Sequence, residues 1–563
     1  MNLVAVKNLV KAPRTDVLAY RCMSEDRSRQ GATGETPSLA GAAMIVAAGF
    51  LGSRALGLLR SVIIAGRFGT SPELDAYWVA FRLPDLVFQL LAGATLASAF
   101  IPTFARVQAR EGREAAWRLA SSVLNLVLLA TAAVAVIAFI LAPLIVPLMA
   151  PGLGEHTGRE QEMRSLAVDL TRLMLVSPVL FAVSGMAMGI LNARRRFLTP
   201  ALAPMVYNLS IIGAAILSRD VHVLAVGVVV GAGLHLAVQV PDLRLAGMAY
   251  SLIARGRDAA VRDVAALMAP RVIGLAAVQV NFYFVAIFFA SKIAAGAISA
   301  VTFAWLIVMT PLGIVGMAIS TAVFPTLADQ AAASEHADLG RTLSRALRLI
   351  TFLSLPAGVG LMLLARPLVV VLLQRGAFGS ASTDLTSQAL FFYALALFAH
   401  NGIEILSRGF YALSDTRTPV ALALLSMLIN VALAAALVGP LEVRGLALAL
   451  SLASIAEFGL LYLLLRRRVP GVADPAVVRS GVRIAVATGV MATTVGLALL
   501  LLTEAGHLDL SNGPDALGAV AVGGLVGVTT YFAAALALGC EEVGLLASRV
   551  PWLGGRLPPR AAP

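Results

Sequence analysis

The chain is written as long apolar runs separated by short polar stretches. Runs such as VLNLVLLATAAVAVIAFILAPLIV at 123–146 do not alternate with a period of two, so they read as helices and not as strands of a large barrel. About 20 apolar residues suffice to cross the bilayer core. On that criterion the pattern predicts fourteen spans: 39–66, 76–104, 119–149, 165–192, 199–218, 221–241, 264–290, 297–327, 344–374, 385–407, 418–438, 445–465, 480–503 and 516–540. Residues 1–38 are polar and of mixed charge and read either as a disordered cytoplasmic tail or as the product of a start codon placed too early, and 541–563 as a second cytoplasmic tail. The expected fold class is therefore an all-α polytopic membrane protein.

Composition excludes the alternatives. Of 563 residues, 59% are hydrophobic and 13% charged, too apolar for a water-soluble fold or a disordered chain. The net charge of +12 comes from 43 Lys and Arg, of which three are lysine. If the N-terminus is placed inside, the loops and tails assigned to the cytoplasm hold 30 of these cations and the opposite loops 7. Positive residues collect on the cytoplasmic side, which predicts both termini inside. The basic excess thus orients the chain in a bilayer and does not point to nucleic acid. Two cysteines, Cys22 and Cys540, build neither a disulfide framework nor a metal cluster. No phosphate-binding loop, H-x-x-x-H or G-x-S-x-G is present, so no enzyme constellation and no metal site is expected.

The chain also repeats itself. AFIPTFA at 99–105 resembles AVFPTLA at 322–328, APLIVPLM at 142–149 resembles RPLVVVLL at 366–373, and Thr199-Pro200 resembles Thr418-Pro419. Three matches in one order at nearly one offset predict two homologous six-helix lobes, 39–245 and 260–468, followed by helices 13–14 at 476–540. An even number of spans per lobe makes the repeat parallel, with a cleft between the lobes, the plan of alternating-access transporters.

Charges within spans mark the cleft, because an ionisable group facing lipid costs several kcal/mol. Span 1 carries Arg54 and Arg60, six residues apart and about 240° around a regular helix. Span 2 opens with Asp75 and carries Arg82 and Asp85, three apart and on one face, around Pro84. One reading is a cationic site for an anionic head group, with Asp75 and Asp85 holding the arginines in place. The other is anchoring of side chains at the membrane edge. Arg271, near the start of span 7, is open to the same two readings. Glu404 and Glu457 are single acids in spans, candidates for coupling to H+ or Na+ or for neutralising a nearby arginine. Pro84, Pro102, Pro311 and Pro325 remove helical hydrogen bonds in spans 2 and 8 and are candidates for gating kinks.

Seven stretches carry a family resemblance: SRALGLLR (53–60), LDAYWVAFRLPDL (74–86), SAFIPTFA (98–105), PRVIGLAAVQVN (270–281), PLGIVGMAISTAVFPTLA (311–328), LLQRGAF (372–378) and SRGFYALSDTRTPV (407–420). With these the chain resembles the MurJ/MviN family of lipid II flippases, within the multidrug/oligosaccharidyl-lipid/polysaccharide exporter superfamily. The resemblance implies two six-helix lobes in a V with the last two helices forming a groove toward lipid. It implies movement of an undecaprenyl-pyrophosphate-linked peptidoglycan precursor from the inner to the outer leaflet of the bacterial plasma membrane. The implied partners are that precursor, the bilayer and cell-wall synthesis proteins. No cofactor is implied, and coupling to the membrane potential, H+ or Na+ stays open. Ser53, Arg54, Arg60 and Asp75 match the family's first-lobe cavity residues. The chain departs from the pattern at Phe88, Gln89 and Gly93, where many members carry Arg, Arg and Glu, and at Leu306, where members commonly carry a span-8 Arg. Arg82 and Arg271 are the cations left to substitute. The competing functions are a flippase for another lipid-linked oligosaccharide, a small-molecule cation antiporter, and an inactive membrane scaffold.

Overall fold

Apolar runs of this length must satisfy their backbone internally, and among the described residues they do so as helices throughout. The computed structural model describes residues 39–91, 94–252, 258–266, 268, 285–472, 474–504 and 509–547. In chain order the helices are α1 (Leu39–Phe68), α2 (Pro72–Leu91), α3 (Ala94–Met149), α4 (Glu160–Met174), α5 (Val176–Ala193), α6 (Leu198–Leu217), α7 (Val221–Ala237) and α8 (Val240–Leu245). There follow α9 (Ala286–Ala290), α10 (Ala297–Ala332), α11 (His336–Leu363), α12 (Ala365–Leu373), α13 (Ser380–Ala394), α14 (Leu397–Ala412), α15 (Arg417–Arg468), α16 (Pro475–Glu504), α17 (Gly513–Ala537) and α18 (Glu541–Ala547). By internal contacts the chain divides after Ala48. The first unit holds the opening turns of α1, and the second, Gly49–Pro563, holds every contact described below.

Among the described residues ten stretches are long and apolar enough to cross a membrane, two of them made by joining α4 with α5 and α7 with α8, or eleven if the pair α13 and α14, bent by 45°, forms one span. The expected count of fourteen is not reached on the described residues. Span 7 falls mostly on 269–284, outside them. Two expected pairs run together: α3 has 56 residues and α15 has 52. Each is interrupted where the sequence places a polar turn, α3 at Gly112 (φ 87°) and α15 at Glu442 (φ 52°). At both breaks the backbone leaves helical geometry and two helices meet across a kink. Pro84, Pro102, Pro311 and Pro325 all lie inside helices that continue past them.

Two loop clamps tie the repeated elements together. In the first half of the chain, Asp242 accepts from the Thr199 hydroxyl at 2.7 Å and from Arg196 at 2.9 Å. In the second half, Asp415 accepts from the Thr418 hydroxyl at 2.6 Å and pairs with Arg468. The Thr-Pro matches of the repeat thus sit in equivalent clamps with acid and base exchanged between the two strands of chain. Thr418, through hydroxyl and backbone N–H, and then Arg468 hold the Asp415 carboxyl down from the ordinary 3.8 to about 2. A depressed carboxylate stabilises the fold above its unfolded pKa and loses that contribution as pH falls through its folded one. Asp415→Asn is therefore expected to lower thermal stability at neutral pH. It should also flatten the acid decline of the melting temperature between about pH 4 and pH 2, read by melting curves in detergent. Unchanged curves would remove the clamp from the account.

The expected C-terminal tail begins as a docked element. Glu542 is buried and accepts from Arg348 on α11 at 2.6 Å and from Ser480 on α16 at 2.7 Å, while Glu541 takes the other arm of Arg348 at 2.7 Å. Above this, the Tyr531 hydroxyl donates to the Phe352 carbonyl at 2.7 Å. Helices α16 and α17 are thereby fixed to α11.

Candidate functional site

Asp75 sits in the first turn of α2, and its carboxylate is buried at 3% exposure. It does not hold an arginine. One oxygen accepts from the Gly296 N–H at 2.7 Å, the other from the Ser299 N–H at 2.8 Å and the Ser299 hydroxyl at 2.6 Å. These donors open α10, whose N-terminal amides lack intrahelical partners and carry the positive end of the helix dipole. Asp75 is thus a capping group supplied by a helix 221 residues earlier in the chain. Further contacts at the same end reinforce it. Thr70 and Ser382 hydroxyls meet at 2.8 Å, and the Ala377 N–H donates to the Gly66 carbonyl at 2.8 Å. The approach is close enough to require glycine at Gly296 (φ 85°), where a Cβ would strike the Thr70 backbone. The result is a polar seal between the two halves of the chain. Its donors at Gly296 and Ser299 had no motif to announce them. The signal available was an acid in the first turn of one span and a Gly-containing turn before another.

Beyond the seal lies a cavity of about 280 Å³ walled mainly by α1, α2 and α10, with residues of α9, α13 and α15 completing it. Arg60, Arg82, Asp85 and Leu306 all line it, as do Trp78, Thr302 and Trp305. Arg82 and Asp85 therefore share a face as the spacing predicted. Asp85 accepts from Gln89 at 2.8 Å, and both Arg82 and Arg60 act on it electrostatically. The Nε of Arg60 is buried without a hydrogen-bond partner among the described residues. Arg54 points elsewhere, as six residues along a regular helix require. It is exposed, with its guanidinium 5.2 Å from the Phe50 ring and beside Gly313 of α10. Ser53 contributes its carbonyl, which accepts from Asn208 at 3.4 Å. Of the departing positions, Phe88 packs on Phe181 with ring centroids 4.8 Å apart, and Gln89 serves Asp85. Arg271 and Gly93 lie outside the described residues.

A second cavity of about 580 Å³ adjoins the first. Leu450 lines both, and the Trp305 ring of the first lies 5.4 Å from the His400 ring of the second. Its walls bring together Glu404, Glu457 and Arg408, with Ser426 and Ser454 between them. The two acids are more than fifty residues apart in the chain, on α14 and on the far part of α15, so no local spacing joins them. Among the described residues no group of three or more His, Cys, Asp or Glu is placed to hold a metal ion.

The comparisons agree with this architecture. The family model described as "Lipid II flippase MurJ" matches residues 64–509. A lipid II flippase MurJ of Burkholderia cenocepacia is 30% identical over 436 residues, covering 76% of this chain and 84% of the relative. A probable lipid II flippase MurJ of Rhizobium tropici is 29% identical over 508 residues, covering 88% and 93%. Among solved structures, lipid II flippase MurJ in an inward closed conformation superposes with a TM-score of 0.73 at 24% identity, covering 87% of this chain and 98% of that one. An inward-facing multidrug resistance transporter of the MATE family gives 0.63 at 18% identity, covering 75% and 96%. With its family model matched across most of its length, and with the helical plan of that family, the chain belongs to the lipid II flippase MurJ family.

Proposed function

We propose that this protein moves a polyprenyl-diphosphate-linked peptidoglycan precursor from the inner to the outer leaflet of the bacterial plasma membrane by alternating access. The observation that carries the reading is the cavity where Arg60 and Arg82 stand together between the first and second halves of the chain, next to a seal made across those halves. A diphosphate needs cations, and guanidinium forks bind its oxygens two at a time. Arg54, farther along α1 from the seal, stands on the path by which a head group enters. The 30-to-7 distribution of cations among the loops supports cytoplasmic termini, which puts the Asp75 seal at the outer face. Opening toward the outside then means uncapping α10, with the two lobes 39–245 and 260–468 as moving bodies. Pro84, Pro102, Pro311 and Pro325 weaken the helices that bend.

The test is rescue. In a bacterium depleted of its own lipid II flippase, expression of this chain is expected to restore growth, and Arg60→Ala is expected to abolish rescue at equal membrane abundance. Lysis with the wild-type chain present in the membrane would refute the reading.

Leu306 makes a sharper point. It lines the same cavity as Arg60 and Arg82, so a side chain there meets polar groups and not lipid. Leu306→Arg is expected to insert normally and to tighten binding of a diphosphate lipid about tenfold, the value of one further charged hydrogen-bonded contact of about 1.4 kcal/mol. A titration of purified wild-type and variant protein reads this. Failure of the variant to insert would place position 306 in packed core.

A further inference from the structure

The two adjoining cavities have opposite charge balance. The first holds Arg60 and Arg82 against Asp85. The second holds Glu404 and Glu457 against Arg408. Arg408 leans toward Glu404 at 3.9 Å and lies over the Phe324 ring at 5.7 Å. Glu457 has the Ser426 hydroxyl and, among the described residues, no Lys, Arg or His within 4.0 Å. A carboxylate in a chamber of low dielectric is costly without a counter-cation. On the same walls the Nε of Arg408, a donor, and the Nε2 of His400, which donates or accepts according to its tautomer, are buried without hydrogen-bond partners among the described residues. The Arg408 donor suits a carbonyl oxygen, and the acids suit an ammonium group.

We infer that the second cavity is a subsite for an amine-bearing peptide portion of the head group whose diphosphate occupies the first. This rests on the flippase reading above and names the part of the substrate that the other half of the site recognises. One ligand then satisfies both chambers: its anionic end lies between Arg60 and Arg82, and its ammonium lies between Glu404 and Glu457. The Trp305 and His400 rings form the wall between them. Recognition at both ends selects for the completed head group and against the bare lipid carrier, which has only the anionic end.

The experiment measures binding of the full-length protein to two lipids, the diphosphate-linked precursor with a free side-chain amine and the same lipid N-acetylated. The wild type is expected to prefer the free amine about tenfold. Glu457→Gln and Glu404→Gln are expected to reduce that preference to about twofold or less, with affinity for the acetylated lipid held within about twofold of wild type. Replacing Na+ by K+ should leave the preference unchanged. Equal binding of both lipids by the wild type, with Arg60→Ala still costing affinity, overturns this inference alone. A preference that disappears with Na+ also overturns it and makes the chamber an inorganic-cation site. Absence of measurable binding by either lipid overturns the flippase reading beneath it.

Discussion

Asp75→Asn is expected to reduce transport at least tenfold while the protein still inserts and folds. The carboxylate is buried and accepts three hydrogen bonds, all from the first residues of α10. Asparagine keeps one acceptor oxygen, turns an NH2 group toward a backbone donor, and removes the charge that complements the helix dipole. Losing one charge-assisted contact of about 2 kcal/mol shifts the closed–open equilibrium at this end roughly thirtyfold. A cycle that must close here before it can open elsewhere cannot absorb such a shift. Thr70 and Ser382, whose hydroxyls meet at 2.8 Å, provide the readout. With Cys22 and Cys540 replaced by Ser, Thr70→Cys and Ser382→Cys are expected to cross-link readily, and Asp75→Asn to suppress the cross-link. Undiminished cross-linking would reduce Asp75 to a packing residue.

Arg60→Ala is expected to lower affinity for a diphosphate lipid at least tenfold, and Arg60→Lys to recover part of it. Arg60 and Arg82 project from different helices into one small cavity, where water screens them little. A guanidinium there offers two parallel donors to a phosphate, whereas an ammonium offers a point charge. Arg54→Ala should act differently. That side chain is exposed beside Gly313 and outside the cavity lining, so its loss is expected to slow capture of substrate more than to weaken the captured state. Stopped-flow binding separates the two: Arg60→Ala raises the off-rate and Arg54→Ala lowers the on-rate. Identical kinetic defects would merge both arginines into one site.

The fold was readable because a bilayer permits few solutions. Apolar period and length give helices. The i,i+3 placement of Arg82 and Asp85 and the six-residue separation of Arg54 and Arg60 were geometric facts of a helix, and the cavity respects both. Asp75 was misread because its partner lies more than 200 residues away. A helix N-terminus attracts a carboxylate through backbone amides, and backbone amides leave no mark on a sequence. The second cavity was hidden for a similar reason. Glu404 and Glu457 looked like isolated acids until packing of α14 against α15 brought them to one wall. The four prolines lie inside continuous helices, while the non-helical breaks stand at Gly112 and Glu442, where polar turns separate apolar runs.

A leaflet-exposure assay reads translocation of a lipid-linked anion through the arginine-lined cavity. Purified full-length protein is reconstituted into vesicles holding a fluorescent diphosphate-linked peptidoglycan precursor, and a membrane-impermeant quencher reports the fraction in the outer leaflet over time. Wild-type protein is expected to carry the inner-leaflet pool outward, and vesicles with Arg60→Ala are expected to stay near the protein-free rate. Equal rates for wild type, Arg60→Ala and empty vesicles, with all proteins folded and inserted, would contradict translocation through that cavity.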